Sequence, residues 1–294
     1  MEGVVSAHRD GGGGGGGGAA TGRLFVVSTP IGNMGDFSFR GVEVLQSVSV
    51  VLAEDTRHSR HLLERYAIAT PMRAYHEHNE ARQVPRVLTE LAAGQDVALV
   101  SDAGTPLVSD PGARLVRAAI DAGYAVVPVP GASAVLAALV ASGLPAQPFT
   151  FMGFLARSGA ERTRQLALVS ESPVTVVLYE APGRVAATLQ ALVERTEATR
   201  EAVVARELTK VHEEVRRGTL AELAAYYSGT PPKGEVVLVI AGAPPRAPDA
   251  SELVARAREL RGQGYSARDT AAALVREFAA PRNEAYRLAQ EALE

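Results

Sequence analysis

The stretch Val97-Ala-Leu-Val-Ser-Asp-Ala-Gly-Thr-Pro-Leu-Val-Ser-Asp-Pro-Gly-Ala-Arg-Leu-Val-Arg-Ala-Ala-Ile120 decides the fold. Its first four residues are apolar without polar alternation, which predicts a strand covered on both faces. The next twelve, Ser101 to Gly112, hold two aspartates, two prolines and two glycines, with Leu107 and Val108 as the large apolar residues. That chemistry makes a loop. From Pro111 to Ile120 the apolar residues return at helical spacing, with Asp110 expected as N-cap and Pro111 at the first helical position. Buried strand, polar loop and amphipathic helix in succession form the unit of a parallel α/β sheet.

The same unit recurs on either side. Leu24 to Val27 runs into Ser28-Thr-Pro-Ile-Gly-Asn33, Val48 to Leu52 into Ala53-Glu-Asp-Thr-Arg57, and Ala125 to Val129 into Pro130-Gly-Ala-Ser133. Ala81 to Ala93 places Val84, Val87, Leu88 and Leu91 on one helical face, and Gly94 stops it. A first α/β domain is expected over residues 23–143. Leu144-Pro-Ala-Gln-Pro148 breaks the periodicity. A second α/β domain then follows over 144–243, with strands at Val174 to Leu178, Ala202 to Ala205 and Glu235 to Ile240 and a helix at Arg184 to Arg195. Ala243 to Pro248 reads as a stiff linker, and 250–294 as a small helical domain with Ser266 in a near capping box and Pro281 between two helices.

Composition narrows the function. The chain has 294 residues, enough for two ordinary domains, and 47% hydrophobic residues. Thirty Lys and Arg against 33 Asp and Glu leave a formal charge of −3. Contact with RNA must therefore come from a local basic patch or through a preassembled particle. The C-terminal segment resembles a helix–turn–helix appendage, but its seven Arg against seven acids leave a nucleic-acid role and a packing or dimer module equally open. Zero cysteines exclude disulfides, Cys-zinc sites and thiol nucleophiles and agree with a cytoplasmic location. No apolar run reaches the roughly 18–20 residues of a membrane span. Residues 1–22, with eight glycines at Gly11 to Gly18, are expected to be a disordered tail.

Chemistry is expected at the carboxyl ends of parallel strands. In Ser28 to Asn33, Pro30 stiffens the turn and Gly32 permits close approach. Ser101 to Gly112 offers backbone groups together with Ser101, Asp102, Thr105 and Asp110 as acceptors for an ammonium or a ribose. Ser133 reads as a helix cap. Arg206-Glu-Leu-Thr-Lys210 suits phosphate contacts, with a surface Arg–Glu network as the alternative. His58 with His61, and His76 with His78, match no hydrolytic zinc spacing, so no metal is expected. A Gly-x-Ser-x-Gly nucleophile elbow is missing.

Taken in order, Ser28 to Asn33, Glu54-Asp-Thr-Arg57, Ser101 to Pro106 with Ser109 to Gly112, Val129-Pro-Gly131, Tyr179-Glu-Ala-Pro182 and Arg206 to Lys210 resemble the tetrapyrrole methylase family from about Arg23 to Ala241. The Thr-Pro-Ile-Gly first loop and Gly104-Thr-Pro106 middle loop resemble its RNA branch more than its porphyrin branch. The resemblance implies two α/β domains, a parallel sheet in the first and a mixed sheet in the second, with S-adenosyl-L-methionine in a cleft between them, and a homodimer. It implies cofactor contacts at Pro30, Gly104, Thr105, Leu107, Val108, Ser133, Ala134, Tyr179 and Glu235. Gly32 and Asp102 join them from the loop chemistry. The implied reaction is 2′-O-methylation of a cytidine ribose in 16S ribosomal RNA, free or in the small subunit. Glu54, Asp55, His76 and Lys210 are candidate bases. Arg57, Arg206 and Lys210 are candidate phosphate contacts. The rivals are a porphyrin or diphthine-type methyltransferase of the same fold and a non-catalytic RNA-binding module.

Overall fold

A computed structural model of the chain describes residues 21–244, 250–278 and 280–292. The expected tail, up to residue 20, and residues 245–248 of the expected linker lie outside them. The described residues form two compact units. One runs up to Ala137 and includes Leu208–Val211; the other comprises Ala138–Glu207 and the described residues from His212 onward.

The first unit is built on β1 (Leu24–Val27), β2 (Val50–Ala53), β3 (Met72–Ala74), β4 (Val97–Val100) and β5 (Val126–Val129). They form a wholly parallel sheet in the order β3-β2-β4-β1-β5. The pleat sends alternate residues to opposite faces. Phe25, Val27, Val51, Ala53, Ala98 and Val100 pack with Leu45 of α1 (Phe39–Ser47) and Leu62 and Leu63 of α2 (Thr56–Arg65). Leu24, Leu52, Val97 and Leu99 pack with Val87 and Leu91 of α3 (Glu80–Ala92) and Leu115 and Ala119 of α4 (Ala113–Asp121). Both faces are covered, which is why these strands read as unbroken apolar runs. After β5, Ser133 opens α5 (Ala134–Ser142): the backbone N–H of Ala137 donates to its carbonyl at 2.9 Å.

The second unit has a mixed sheet of β6 (Phe149–Phe154), β7 (Thr175–Glu180), β8 (Glu201–Arg206), β9 (Glu214–Thr219) and β10 (Val236–Ile240), in the order β6-β7-β10-β8-β9. Only β6 and β7 run parallel. Val176, Leu178, Ala202, Val204, Leu238 and Ile240 form one core with side chains of α6 (Gly159–Glu171), α7 (Val185–Val193) and α8 (Leu220–Gly229). The helices α9 (Ala250–Gly262), α10 (Ala267–Phe278) and α11 (Arg282–Glu291) share a separate core of Leu253, Ala257, Leu274, Ala285 and Leu288. Ser266 caps α10, accepting from the N–H of Asp269 at 3.1 Å.

The start of α4 differs from the sequence expectation. The N-cap is Gly112, not Asp110, and Pro111 lies outside the helix. Glu80 of α3 fixes this start by accepting from the N–H of Gly112 at 3.1 Å. Gly112 has φ +131°, a region that side-chain-bearing residues rarely adopt, and a Cβ there would lie 2.6 Å from Leu99 Cδ2. Gly112→Ala is therefore expected to lower stability by about 2–4 kcal/mol through strain and overpacking together. Urea unfolding measures this; a wild-type midpoint would remove the argument.

Candidate active site

β1 and β4 are neighbours, yet the chain leaves β1 toward β2 and leaves β4 toward β5. Such a reversal opens a place for a ligand beyond the strand ends. Here the two exits are tied together. Thr29 N–H donates to Gly104 O at 2.8 Å, and Gly104 N–H donates back to Thr29 O at 3.1 Å. Thr29 Oγ1 donates to Ser101 O at 3.1 Å, and Ser101 Oγ to Gly104 O at 3.2 Å. Ser28 Oγ lies 3.0 Å from Thr105 Oγ1, which donates to Ala132 O at 3.3 Å. Ser28, Thr29 and Ser101 are all buried. These hydroxyls satisfy backbone groups that would be costly to bury unpaired, and they join the loops after β1, β4 and β5. Beyond them Leu107 (φ 73°) and Ser109 (φ 72°) are left-handed without being glycine. Such strain gathers at ligand sites.

Acidic groups converge beside this loop. Asp102 Oδ1 accepts from the N–H of Asp55 at 3.1 Å, which ties the end of β4 to the end of β2. Glu54 is raised above the ordinary carboxylate value, first by burial and then by the charge of Asp102, with His76 opposing. Asp110 is pushed up to about 6, first by burial and then by Glu54, while a hydrogen bond with Ser101 works against the rise. The neighbouring Asp55 behaves oppositely. It caps α2, accepting from Arg57 N–H at 2.8 Å, and pairs with the Arg57 guanidinium at 2.7 Å. The Arg57 hydrogen bonds hold it well below the ordinary range. A carboxylate so stabilised as an anion is a weak base.

His76 is held by Asn79, whose Oδ1 accepts from its N–H at 3.0 Å and whose Nδ2 lies 3.3 Å from Nε2. Its Nδ1 is buried with no hydrogen-bond partner. Glu54, Asp102 and His76, named from sequence, thus come together with Asp110, which the sequence offers both as a ligand acceptor and as a helix cap. The signal for Asp110 was its place in the same loop as Asp102. Among the described residues no group of three or more His, Asp or Glu is placed to hold a metal ion.

Gly32 meets a different partner. A Cβ at this position would lie 2.4 Å from Lys210 Cγ, 2.9 Å from Thr209 Oγ1 and 3.1 Å from Leu208 O. Asn33 N–H donates to Thr209 Oγ1 at 3.0 Å. The glycine is thus what lets the Lys210 stem lie on the first strand-end loop. Pro30, by contrast, is buried.

In the second unit, Tyr179 packs against Phe151 and Phe154 with ring centroids at 5.0 and 5.4 Å. Glu180 is buried, pairs with Arg184 at 3.2 Å and accepts from Thr188 Oγ1 at 2.6 Å. Arg206 pairs with Glu214 at 2.7 Å, and Glu214 also holds Arg216 at 2.9 Å. The N–H of Glu235 donates to Glu207 Oε1 at 2.9 Å, fixing the approach to β10.

A parallel sheet with its chemistry at a strand-order reversal, accompanied by a mixed five-stranded sheet, defines the fold of a class of methyltransferases. The chain belongs to the tetrapyrrole (corrin/porphyrin) methylase family, whose model matches residues 23–224. It is 45% identical over 273 residues to the ribosomal RNA small subunit methyltransferase I of Synechocystis sp., covering 92% of this chain and 98% of that protein. Identity to the protein of that name in Mesorhizobium japonicum is 48% over 231 residues, 78% and 79% of the two chains. The fold is shared with Thermus thermophilus uroporphyrin-III C-methyltransferase complexed with S-adenosylhomocysteine, at TM-score 0.55 and 20% identity, covering 75% and 97%.

Two outcomes test this geometry. A carboxyl whose value rises on folding binds its proton more tightly in the native state. Its penalty is absent below pH about 4 and develops as the pH rises toward 6. Asp110→Asn should therefore raise the melting temperature by a few degrees at pH 8, with the gain shrinking toward zero at pH 4; a pH-independent difference would contradict it. Gly32→Ala should cost about 1–3 kcal/mol by overpacking. If thermal melting shows no loss, Lys210 does not rest on this loop.

Proposed function

We propose that the chain transfers a methyl group from S-adenosyl-L-methionine to the 2′-hydroxyl of a cytidine ribose in 16S ribosomal RNA, as free RNA or within the small subunit. The observation that carries this reading is the 45% identity across 92% of the chain to a protein named for small-subunit ribosomal RNA methylation. The strand-end loops agree with it. Carboxylates crowded by burial and by one another favour a cationic ligand, and the donor carries a sulfonium and an ammonium.

Asp102, Gly104, Thr105, Leu107 and Val108, with Pro30, Gly32, Ser133 and Ala134, are the proposed cofactor residues of the first unit. Tyr179 and Glu235 are those of the second. When bound, the donor supplies an electrophilic methyl group; the protein's part is alignment and proton management. The ribose hydroxyl must lose its proton, and a base serves best with a value near the working pH. Glu54, raised by burial and by Asp102, suits that task, whereas Asp55 is held as an anion by the backbone N–H of Arg57 at the start of α2 as well as by the exchangeable guanidinium. Lys210, Arg57 and Arg206 are proposed phosphate contacts, and the last two would exchange Asp55 and Glu214 for RNA.

A homodimer in the cytoplasm completes the proposal. Its support is α5, apolar along its length yet exposing Leu136 (53%) and Val140 (75%). No helix among the described residues is long and apolar enough to cross a membrane.

Incubation with labelled donor and small subunits, followed by mass mapping of ribose methyls, tests the reaction; label on protein or tetrapyrrole alone would overturn it. Glu54→Gln should keep donor affinity in calorimetry and lose single-turnover methylation by about 10²–10⁴-fold. Full turnover would exclude Glu54 as the base.

A further inference from the structure

A protein of net charge −3 that acts on RNA needs a confined basic surface. Many arginines among the described residues do not supply one, because carboxylates pair with them. Arg23 pairs with Asp96, Arg73 and Arg86 with Glu90, Arg117 with Asp121, and Arg287 with Glu291. Helix α9 also carries three arginines, but Arg256 is taken by Glu259 and Glu277 and Arg261 donates to Tyr265 O, which among the described residues leaves Arg258 alone of the three.

α2 is different. Its sequence, Thr56-Arg-His-Ser-Arg-His-Leu-Leu-Glu-Arg65, turns Ser59, Leu62 and Leu63 inward and leaves Arg57, His58, Arg60, His61, Glu64 and Arg65 exposed. At 100° per residue the exposed positions occupy one continuous arc, and Arg57, His61 and Arg65 follow one another at intervals of four. The single acid on this arc, Glu64, forms no ion pair with Arg60 one turn before it, and Arg60 has no carboxylate partner among the described residues. Arg65 lies over the Tyr66 ring at 6.0 Å. The Arg57 side chain is 89% exposed, so its pair with Asp55 is weak and exchangeable.

The location matters as much as the charge. Asp55 caps α2, and its own N–H is held by Asp102 at the end of β4. The basic arc therefore begins at the carboxylate cluster and extends about 15 Å from it, at 1.5 Å per residue.

We propose that the outward face of α2, the row Arg57, His61 and Arg65 with Arg60 and His58 beside it, docks RNA phosphates flanking the methylated nucleotide. This rests on the ribosomal RNA reading given above and adds Arg60, Arg65 and the two histidines to the surface.

The double variant Arg60→Gln/Arg65→Gln tests it, because neither residue touches the cap or the carboxylates. Binding to the target RNA segment is measured against salt concentration, together with KM for small subunits and donor affinity. The expected result is a shallower log–log salt dependence by about two units, from two lost phosphate contacts, and a raised KM with donor affinity kept. Arg60→Lys/Arg65→Lys should restore the slope, which a folding defect would not allow. An unchanged slope and KM in the Gln variant overturn the proposal. If the wild-type protein methylates no ribosomal RNA but the slope still falls in the variant, the reaction assignment fails and the surface stands.

Discussion

Two neighbouring parallel strands, β1 and β4, send their chains away in opposite directions, and the reciprocal backbone pair between Thr29 and Gly104 holds the two exits together. Everything at this end of the first unit hangs from that pair. It extends the β1–β4 contact past the end of the ladder, and the hydroxyls of Thr29, Ser101 and Thr105 satisfy carbonyls that the turn leaves over, with Ser28 Oγ beside Thr105 Oγ1. Without it, the loops after the two strands would follow their own helices apart, and the backbone groups between them would need water.

Around this anchor, adjacent residues of one loop acquire opposite chemistry. Glu54 and Asp55 are consecutive carboxylates at the end of β2. Asp55 accepts from the first turn of α2 and from Arg57, which holds it as an anion. Glu54 has burial and acidic neighbours, which favour its neutral form. The helix cap and the proposed base are thus separated by one peptide bond, and the direction of α2 is set by the residue next to Glu54.

Much of this was legible in the sequence because the central strands are covered on both faces. β1, β2, β4 and β10 are unbroken apolar runs for that reason. The strands that reading passed over, β3, β6 and β9, all lie at sheet edges, where only part of each strand faces a core and its residues need not be apolar. The cap expected at Asp110 fails for a different reason. Its Asp-Pro pair has the local signature of a helix start, but the start is set by Glu80, distant in sequence, which holds Gly112. The contact of Gly32 with Lys210 spans a still longer separation. Spacing shows that a glycine allows approach; it does not show what approaches. The cluster of Glu54, Asp102 and His76 was legible one residue at a time, through strand-end position, and its electrostatic coupling only through the fold.

The loop between Gly104 and Gly112 is fastened at both ends, by Thr29 at one and by Glu80 at the other, and carries two left-handed residues in the middle. A segment tethered in this way keeps few alternative shapes, so a small molecule settling against it removes little further freedom. Association there is set by fit and charge more than by ordering, and amide hydrogens on either side of the tethers should be among the slowest of any surface loop to exchange with solvent.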